Sequence, residues 1–238
     1  MRGPYGFEVN DSCRTCKLRA AGFFCHLPAA ALKEFDAAKS VAVYPAGAVL
    51  FLEKQEPRGV FLLCGGGVKL SVSSSEGKTL ILRIAKPGEL LGLMPALTGT
   101  PHEVTAEVLH PSQVAFVRRD DFLHFVAKHP QGYQNAVKEL SFNYQAACEQ
   151  LRTLGLTYSA NQKLARLLLG WSAGGAETTQ GIRVTLPLTH EEIAEFIGTT
   201  RETVTRTLSE FKDQHLVALQ GSTLMIPNRA ALESLVSA

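Results

Sequence analysis

The sequence has no run long and apolar enough to span a bilayer, and its opening MRGPYGFEVNDS lacks the apolar core of a secretory leader. These absences predict a cytoplasmic protein without a membrane partner, in a compartment where thiols stay reduced. A strong charge of either sign is also missing. With 24 Lys+Arg, 22 Asp+Glu and a net charge of +2, no polybasic field advertises a nucleic-acid partner. From Ser159 onward seven basic residues face eight acidic ones, so any affinity for DNA must come from local placement and from pairing of subunits. No Ser/His/Asp constellation, phosphate-cradling glycine loop or paired-carboxylate motif stands out, which argues against an enzyme.

What is present suits a globular protein. The 238 residues, 45% of them hydrophobic and 19% charged, are enough for two modest domains with real cores. The most informative stretch is 188–211, LTHEEIAEFIGTTRETVTRTLSEF. Thr189 with Glu192 three residues later forms a capping box, and Ile193, Ala194 and Ile197 give the first helix an apolar stripe. Gly198 predicts its left-handed end, and Thr200 caps a second helix starting at Arg201. At about 100° per residue, Arg201, Glu202, Thr205 and Arg206 share one arc, whereas Val204, Thr207, Leu208 and Phe211 fall largely on another. Two guanidiniums, a carboxylate and a hydroxyl near a helix N-terminus suit the reading of base edges in a major groove. The plainer alternative is an amphipathic helix with a solvated face.

Arg201-Glu202-x-x-x-Arg206, preceded by HEEIAEFIGTT, resembles the helix-turn-helix of the CRP/FNR superfamily of bacterial transcription regulators. The resemblance implies an α+β protein with an N-terminal β jelly-roll like a cyclic-nucleotide-binding domain, a long dimerisation helix and a C-terminal winged helix-turn-helix. It implies a homodimer on double-stranded DNA, with Thr189, Thr200, Arg201, Glu202, Thr205 and Arg206 as contacts and a palindromic TGTGA-like site. It also implies a surface near the loop after residue 173 that touches RNA polymerase. The oxygen-sensing branch usually carries an apolar residue where Arg201 stands.

Cys13-x-x-Cys16 and, nine residues on, Cys25 place three of the five cysteines within thirteen positions. Such thiols can face one ion or cluster; the alternative is that Cys25 is a buried small hydrophobe beside Phe23 and Phe24. The resemblance to the oxygen-sensing branch implies a [4Fe-4S] cluster on Cys13, Cys16 and Cys25. That branch takes its fourth ligand from a strand reading SQVAFV here, with Ala115 at the matching place. Cys64, Cys148, a non-cysteine ligand, a three-cysteine site with His26, a structural zinc or no cluster all stay open.

From Val41 the pattern changes to short apolar runs, VAVYPAGAVLFL, GVFLLCGGGVKLSV, KTLILRIAKPGELLGL, EVTAEVLH and SQVAFVRR. Their separators, 45–47, 65–67, 76–77 and 87–88, read as turns, and the whole as a β sandwich or roll. Nucleotide-binding relatives carry a Gly-Glu pair for the ribose and an Arg-Ser pair for the phosphate. Here Gly92-Leu93 and Glu103-Val104 stand in those places, so cyclic AMP is not expected and an unknown small molecule is the alternative effector. A cupin-like metal enzyme would need clustered His and Glu; His102, Glu103 and His110 read as scattered, solvated loop residues.

A short helix is expected over 118–130. A long one follows over about 131–156, with Val137, Leu140, Tyr144, Ala147, Leu151 and Leu154 in a heptad seam. Residues 158–173 read as an amphipathic helix, 174–181 as a loop and 183–188 as a short strand. Residues 216–227 read as a two-stranded wing and 228–236 as a last helix. The expected division is 1–27 cysteine segment, 28–130 sensor, 131–157 dimerisation helix and 158–238 DNA-binding domain.

Overall fold

The computed structural model describes all residues except 1–3, 7, 8, 10, 11, 19–21, 157, 158 and 238. Most of the tail expected over 1–12, and Tyr158 at the start of a predicted helix, lie outside the described residues. The chain divides into two units, Met1–Ala147 and Cys148–Ala238.

In the first unit, α1 (Ala29–Ala38) turns Ala31, Leu32 and Phe35 inward at helical spacing. It ends where Lys39 becomes extended and opens β1 (Lys39–Tyr44). β2 (Val49–Phe51), β3 (Gly59–Ser73), β4 (Thr79–Ala85), β5 (Leu90–Leu91) and β6 (Thr105–Arg118) complete an antiparallel sheet in the order β1-β6-β3-β4. β2 pairs with β6 and β5 with β3. A six-residue α2 (Leu93–Thr98), then α3 (Arg119–Lys128) and α4 (Pro130–Gly155), complete the helices; α4 runs through the division between the units.

The run VFLL in β3 shows no polar alternation because both of its faces are buried. Val60 and Leu62 join a core with Phe24, Leu32, Phe35, Phe122 and Phe125. Phe61 and Leu63 face a second core with Phe51, Val68, Leu70, Val108 and Val114. The first core stacks aromatics, Phe24 lying 5.7 Å from both Phe35 and Phe122 between ring centroids. Each such ring contributes roughly 1.5–3 kcal/mol through burial. Phe24 and Cys25 thereby tie the N-terminal segment into the core of the first unit.

The triple glycine 65–67 is not the turn its composition suggests. It lies inside the 15-residue strand β3, where the register against β6 shifts three times between Leu63 and Val68. Gly65 pairs with Gln113 and Gly67 with His110, so Pro111 and Ser112 oppose the kink without a register partner there. A proline is tolerated at such a break because no ladder donor is required of it. The two runs EVTAEVLH and SQVAFVRR are therefore one bent strand, β6. The glycines at 47, 77 and 88 do make turns, with φ of 79°, 79° and 101°.

His102 also departs from the sequence expectation. It is buried at 3% exposure, whereas Glu103 and His110 are exposed. Hydrogen bonds from His102 N to Gln55 O (2.9 Å) and from Lys54 N to His102 O (2.7 Å) draw its loop inward. Its ring stacks on Phe51 with centroids 3.9 Å apart. Burial lowers its pKa, so the neutral ring is favoured.

In the second unit, α5 (Ala160–Ser172) is capped by Ser159 and Gln162 and buries Leu164, Ala165, Leu167 and Leu168. β7 (Ala176–Thr178), β8 (Gly181–Thr185), β10 (Thr223–Ile226) and β9 (Ala218–Gln220) form a sheet in the order β7-β8-β10-β9. The expected two-stranded wing is thus half of a four-stranded sheet. The ETTQG segment, expected as loop, closes a hairpin in which Thr178 pairs with Gly181 at φ 117°. β8 ends at Thr185, short of the expected Leu188. α6 (His190–Ile197), α7 (Arg201–Asp213) and α8 (Arg229–Ser237) complete the unit.

Candidate nucleic-acid interface and cysteine cluster

α6 is fixed at both ends by local chemistry. Thr189 Oγ1 accepts from Glu192 N (3.3 Å), and Glu192 Oε2 accepts from Thr189 N (2.9 Å). Gly198 takes φ 65°, ψ 51° and donates its N–H to Ala194 O. A Cβ there would stand 3.0 Å from Leu154 Cδ2, so glycine answers both a backbone and a packing demand. Thr200 Oγ1 then accepts from Thr203 N (3.3 Å) to cap α7.

α7 divides by face as its spacing predicts. Val204, Thr207, Leu208 and Phe211 are buried at 1–3% exposure, against Ile193, Ala194 and Ile197 at 0–2% from α6. Thr207 Oγ1 donates to Asn161 Oδ1 (3.2 Å), and Asn161 Nδ2 donates to Glu210 Oε2 (3.3 Å), which anchors α7 to α5. Arg201, Glu202, Thr205 and Arg206 are exposed on the opposite face. Arg206 keeps 70% of its side-chain surface free and lies 3.8 Å from Glu210 across one turn. The backbone N–H of Glu202 itself first, and then the Thr200 hydroxyl, hold the Glu202 carboxyl below its usual range, so it is an acceptor at neutral pH.

Three of the six sequence-selected residues have their hydroxyls engaged. Thr189 and Thr200 serve as caps, and Thr205 Oγ1 lies 3.0 Å from His190 Nδ1, tying α7 to α6. Arg201, Glu202 and Arg206 are exposed, with Arg206 3.8 Å from Glu210 and the Glu202 carboxyl held by its own N–H and the Thr200 hydroxyl. His190 does not stand out in the sequence, since its pairing with Thr205 emerges only once both helices are placed.

In the first unit Cys13 and Cys25 are each 8% exposed, and Cys16 and Cys64 are half-buried; all are free thiols. Cys13 is held by its N–H to Asp36 Oδ1 (2.9 Å) and by Lys39 Nζ at 3.0 Å from its sulfur. Lys39 pairs with Asp36 at 2.6 Å and is itself only 3% exposed. Among the described residues, no three His, Cys, Asp or Glu side chains converge in a way that could hold a metal ion. His26 is exposed and lines a cleft of about 590 Å³ together with Phe23, Lys86, Lys138, Glu139 and Phe142.

Glu139 is the group in this cleft that the sequence does not reveal. It is 2% exposed and accepts from Leu90 N (3.3 Å). Burial, with the Glu89 charge adding to it, outweighs the Leu90 N–H and Arg83 and lifts its pKa from 4.5 to about 7. The fold therefore keeps a proton that the unfolded chain sheds. Stability falls as pH rises from about 4.5 to about 7 and stays reduced above. Glu139→Gln is expected to raise stability by about 1–3 kcal/mol at pH 8 and by little at pH 5, read from melting curves at both pH values.

Comparison with known proteins places this architecture. Residues 162–235 match the Crp-like helix-turn-helix domain and residues 41–129 the cyclic nucleotide-binding domain. The chain is 30% identical over 226 residues to the transcriptional activatory protein AadR of Rhodopseudomonas palustris, covering 91% of each. It is 28% identical over 235 residues to the nitrogen fixation regulation protein FixK of Bradyrhizobium diazoefficiens, covering 95% of this chain and 94% of the relative. The solved structure of FixK2 from Bradyrhizobium japonicum superposes with a TM-score of 0.74 at 23% identity, covering 84% of this chain and 98% of that one. Fold and helix-turn-helix together define a DNA-binding transcription regulator, not an enzyme. The chain belongs to the CRP/FNR family.

Proposed function

We propose that the protein is a cytoplasmic homodimer reading a palindromic TGTGA-like site through Arg201, Glu202 and Arg206, with RNA polymerase as a further partner. The observation that carries this reading is the α7 face, with two guanidiniums flanking an ionised carboxylate opposite a fully packed side. Arg can bond both acceptors of guanine, and Glu can accept from the cytosine amino group. The proposed division of labour is 28–130 as sensor, 131–157 as dimerisation helix and 158–238 as DNA-binding domain.

Arg206→Ala is expected to cost about 1–3 kcal/mol per half-site and to relax preference at one base position. Fluorescence anisotropy on a specific duplex and on random duplexes checks this. An equal loss on both would mean that Arg206 binds phosphate and reads no base.

Cyclic AMP is not the proposed signal. Leu93 is buried at 2% exposure and offers no acceptor to a ribose, and Glu103 sets a carboxylate where a phosphate would come. The signal we propose is redox or oxygen, received by a [4Fe-4S] cluster on Cys13, Cys16 and Cys25. The donor set fits such a group, since thiolates are the ligands that iron–sulfur centres and zinc prefer. When bound, the cluster would supply an electron-accepting, oxygen-labile centre. The sulfurs do not stand ready at coordination distance among the described residues, so loading would have to draw the cysteine segment together. The cleft beside Glu139 supports a second reading, a small-molecule effector, because about 590 Å³ lies in the size range of ligand pockets.

A further inference from the structure

Of the two cysteines outside the N-terminal three, Cys148 belongs to the second unit and Cys64 to the first. Cys64 lies at the break in β3. Leu63 pairs with Val114 and Gly65 with Gln113, so Cys64 is the extra, unpaired residue of a β-bulge. Strand alternation, which turns Val60 and Leu62 inward, sets Cys64 against the same core that buries Cys13 and Cys25. The neighbouring β6 residue on that core is Ala115, the register partner of Leu62.

Cys13 and Cys25 are buried in one core, Cys64 packs against it, and Cys16 follows Cys13 by three residues. A nearly buried ammonium, that of Lys39, lies 3.0 Å from the Cys13 sulfur. Such a cation suits a site that becomes strongly anionic when its thiols ionise.

We infer that Cys64 supplies the fourth thiolate of a metal centre whose other corners are Cys13, Cys16 and Cys25, taking from β3 the role that Ala115 cannot fill on β6. This rests on the proposal that the N-terminal cysteines take a metal centre. Loading converts four thiols to thiolates and releases their four protons to solvent. Lys39 remains protonated and offsets part of the charge.

The test loads the full-length chain anaerobically with iron and sulfide, then measures iron, sulfide and zinc per chain, the visible absorption and the rate of metal loss to a chelator. Cys64→Ala is expected to speed metal loss by roughly tenfold or more, at least what losing an outer partner of a metal ligand costs. Cys25→Ala should behave alike, and Cys148→Ala like the wild type. Ala115→Cys added to Cys64→Ala should restore retention by returning a thiol from the adjacent strand. Loss in Cys64→Ala that Ala115→Cys does not restore, in a chain that also melts lower without metal, would make Cys64 a packing residue and overturn the inference. Retention in Cys64→Ala alongside loss in Cys25→Ala would overturn it while leaving the N-terminal centre standing. Zinc held by all four cysteines would support the four-thiolate site and overturn the iron–sulfur reading. A wild-type chain that takes neither metal would end both.

Discussion

Gly66→Ala is expected to destabilise the first unit by about 3–5 kcal/mol, a large share of the stability of such a unit. Gly66 takes φ 95°, a conformation that costs an L-residue roughly 1–2 kcal/mol. Steric contact costs more. A Cβ there would stand 2.0 Å from Ser112 Oγ, 2.6 Å from its Cβ and 2.7 Å from its Cα. Rotating the hydroxyl away does not help, because the Cβ and backbone of Ser112 are in the way. Ser112 cannot retreat either. It is fully buried, pairs with Tyr44 of β1, donates to His110 O (2.6 Å) and accepts from Gly67 N (3.1 Å). Forcing an extra carbon into such a site costs about 1–3 kcal/mol or more. Gly77→Ala is the control. Its φ is 79°, yet nothing lies within 4 Å of the added carbon. It should lose only what the backbone conformation costs, about 1–2 kcal/mol. Urea unfolding of both variants separates the two; equal losses would mean that the clash with Ser112 costs nothing.

The same glycine shows where sequence reading reaches its limit. Residues 188–211 are legible because their signals are local. A capping threonine finds its partner three residues away, a terminal glycine needs only its own φ, and a 3.6-residue period sorts the faces of α7. The triple glycine carries no such decision within itself. Glycine serves a turn and a bulge equally, and only the partner strand, with Pro111 and Ser112 opposite, shows which applies. His102 escapes a sequence reading for a related reason: two hydrogen bonds to a segment nearly fifty residues away bury it. Glu139 looks like any charged residue on a long helix until β5 arrives at Leu90 and dries its surroundings. Cys64 is visible as a cysteine, but the core it shares with Cys13 and Cys25 follows from how the N-terminal segment packs on β3. What a sequence does not carry locally is pairing at a distance.

Replacing Val137, Tyr144 and Leu151 together by glutamate is expected to leave the protein monomeric and to weaken binding to a palindromic site by about 10²–10⁴-fold. The three positions recur every seven residues on α4 and are 48%, 72% and 68% exposed. Tyr133, 59% exposed, continues the pattern with Leu140, Ala147 and Leu154 at alternating steps of four and three. A helix that turns one residue of each heptad toward its own core and the next toward solvent has an uncovered apolar stripe. Leu140 leans on the core of the first unit, so the helix has an inner face to hold it while the stripe remains open. The occupant that the proposed homodimer supplies is the same stripe on a second copy, since a heptad seam can be self-complementary about a two-fold axis. Glutamates facing one another across that axis would repel and would remove the burial. Each freed chain would then bring one α7 to one half-site. It would lose the effective concentration that a tethered second α7 supplies, and for a palindrome this loss exceeds that of any single base contact. Analytical ultracentrifugation gives the subunit state, and anisotropy on the same duplex gives the affinity. Gln145→Glu, exposed but off the seam, should change neither. A triple variant that still sediments as a dimer, or a monomer that binds the palindrome undiminished, would mean that the stripe does not pair the subunits.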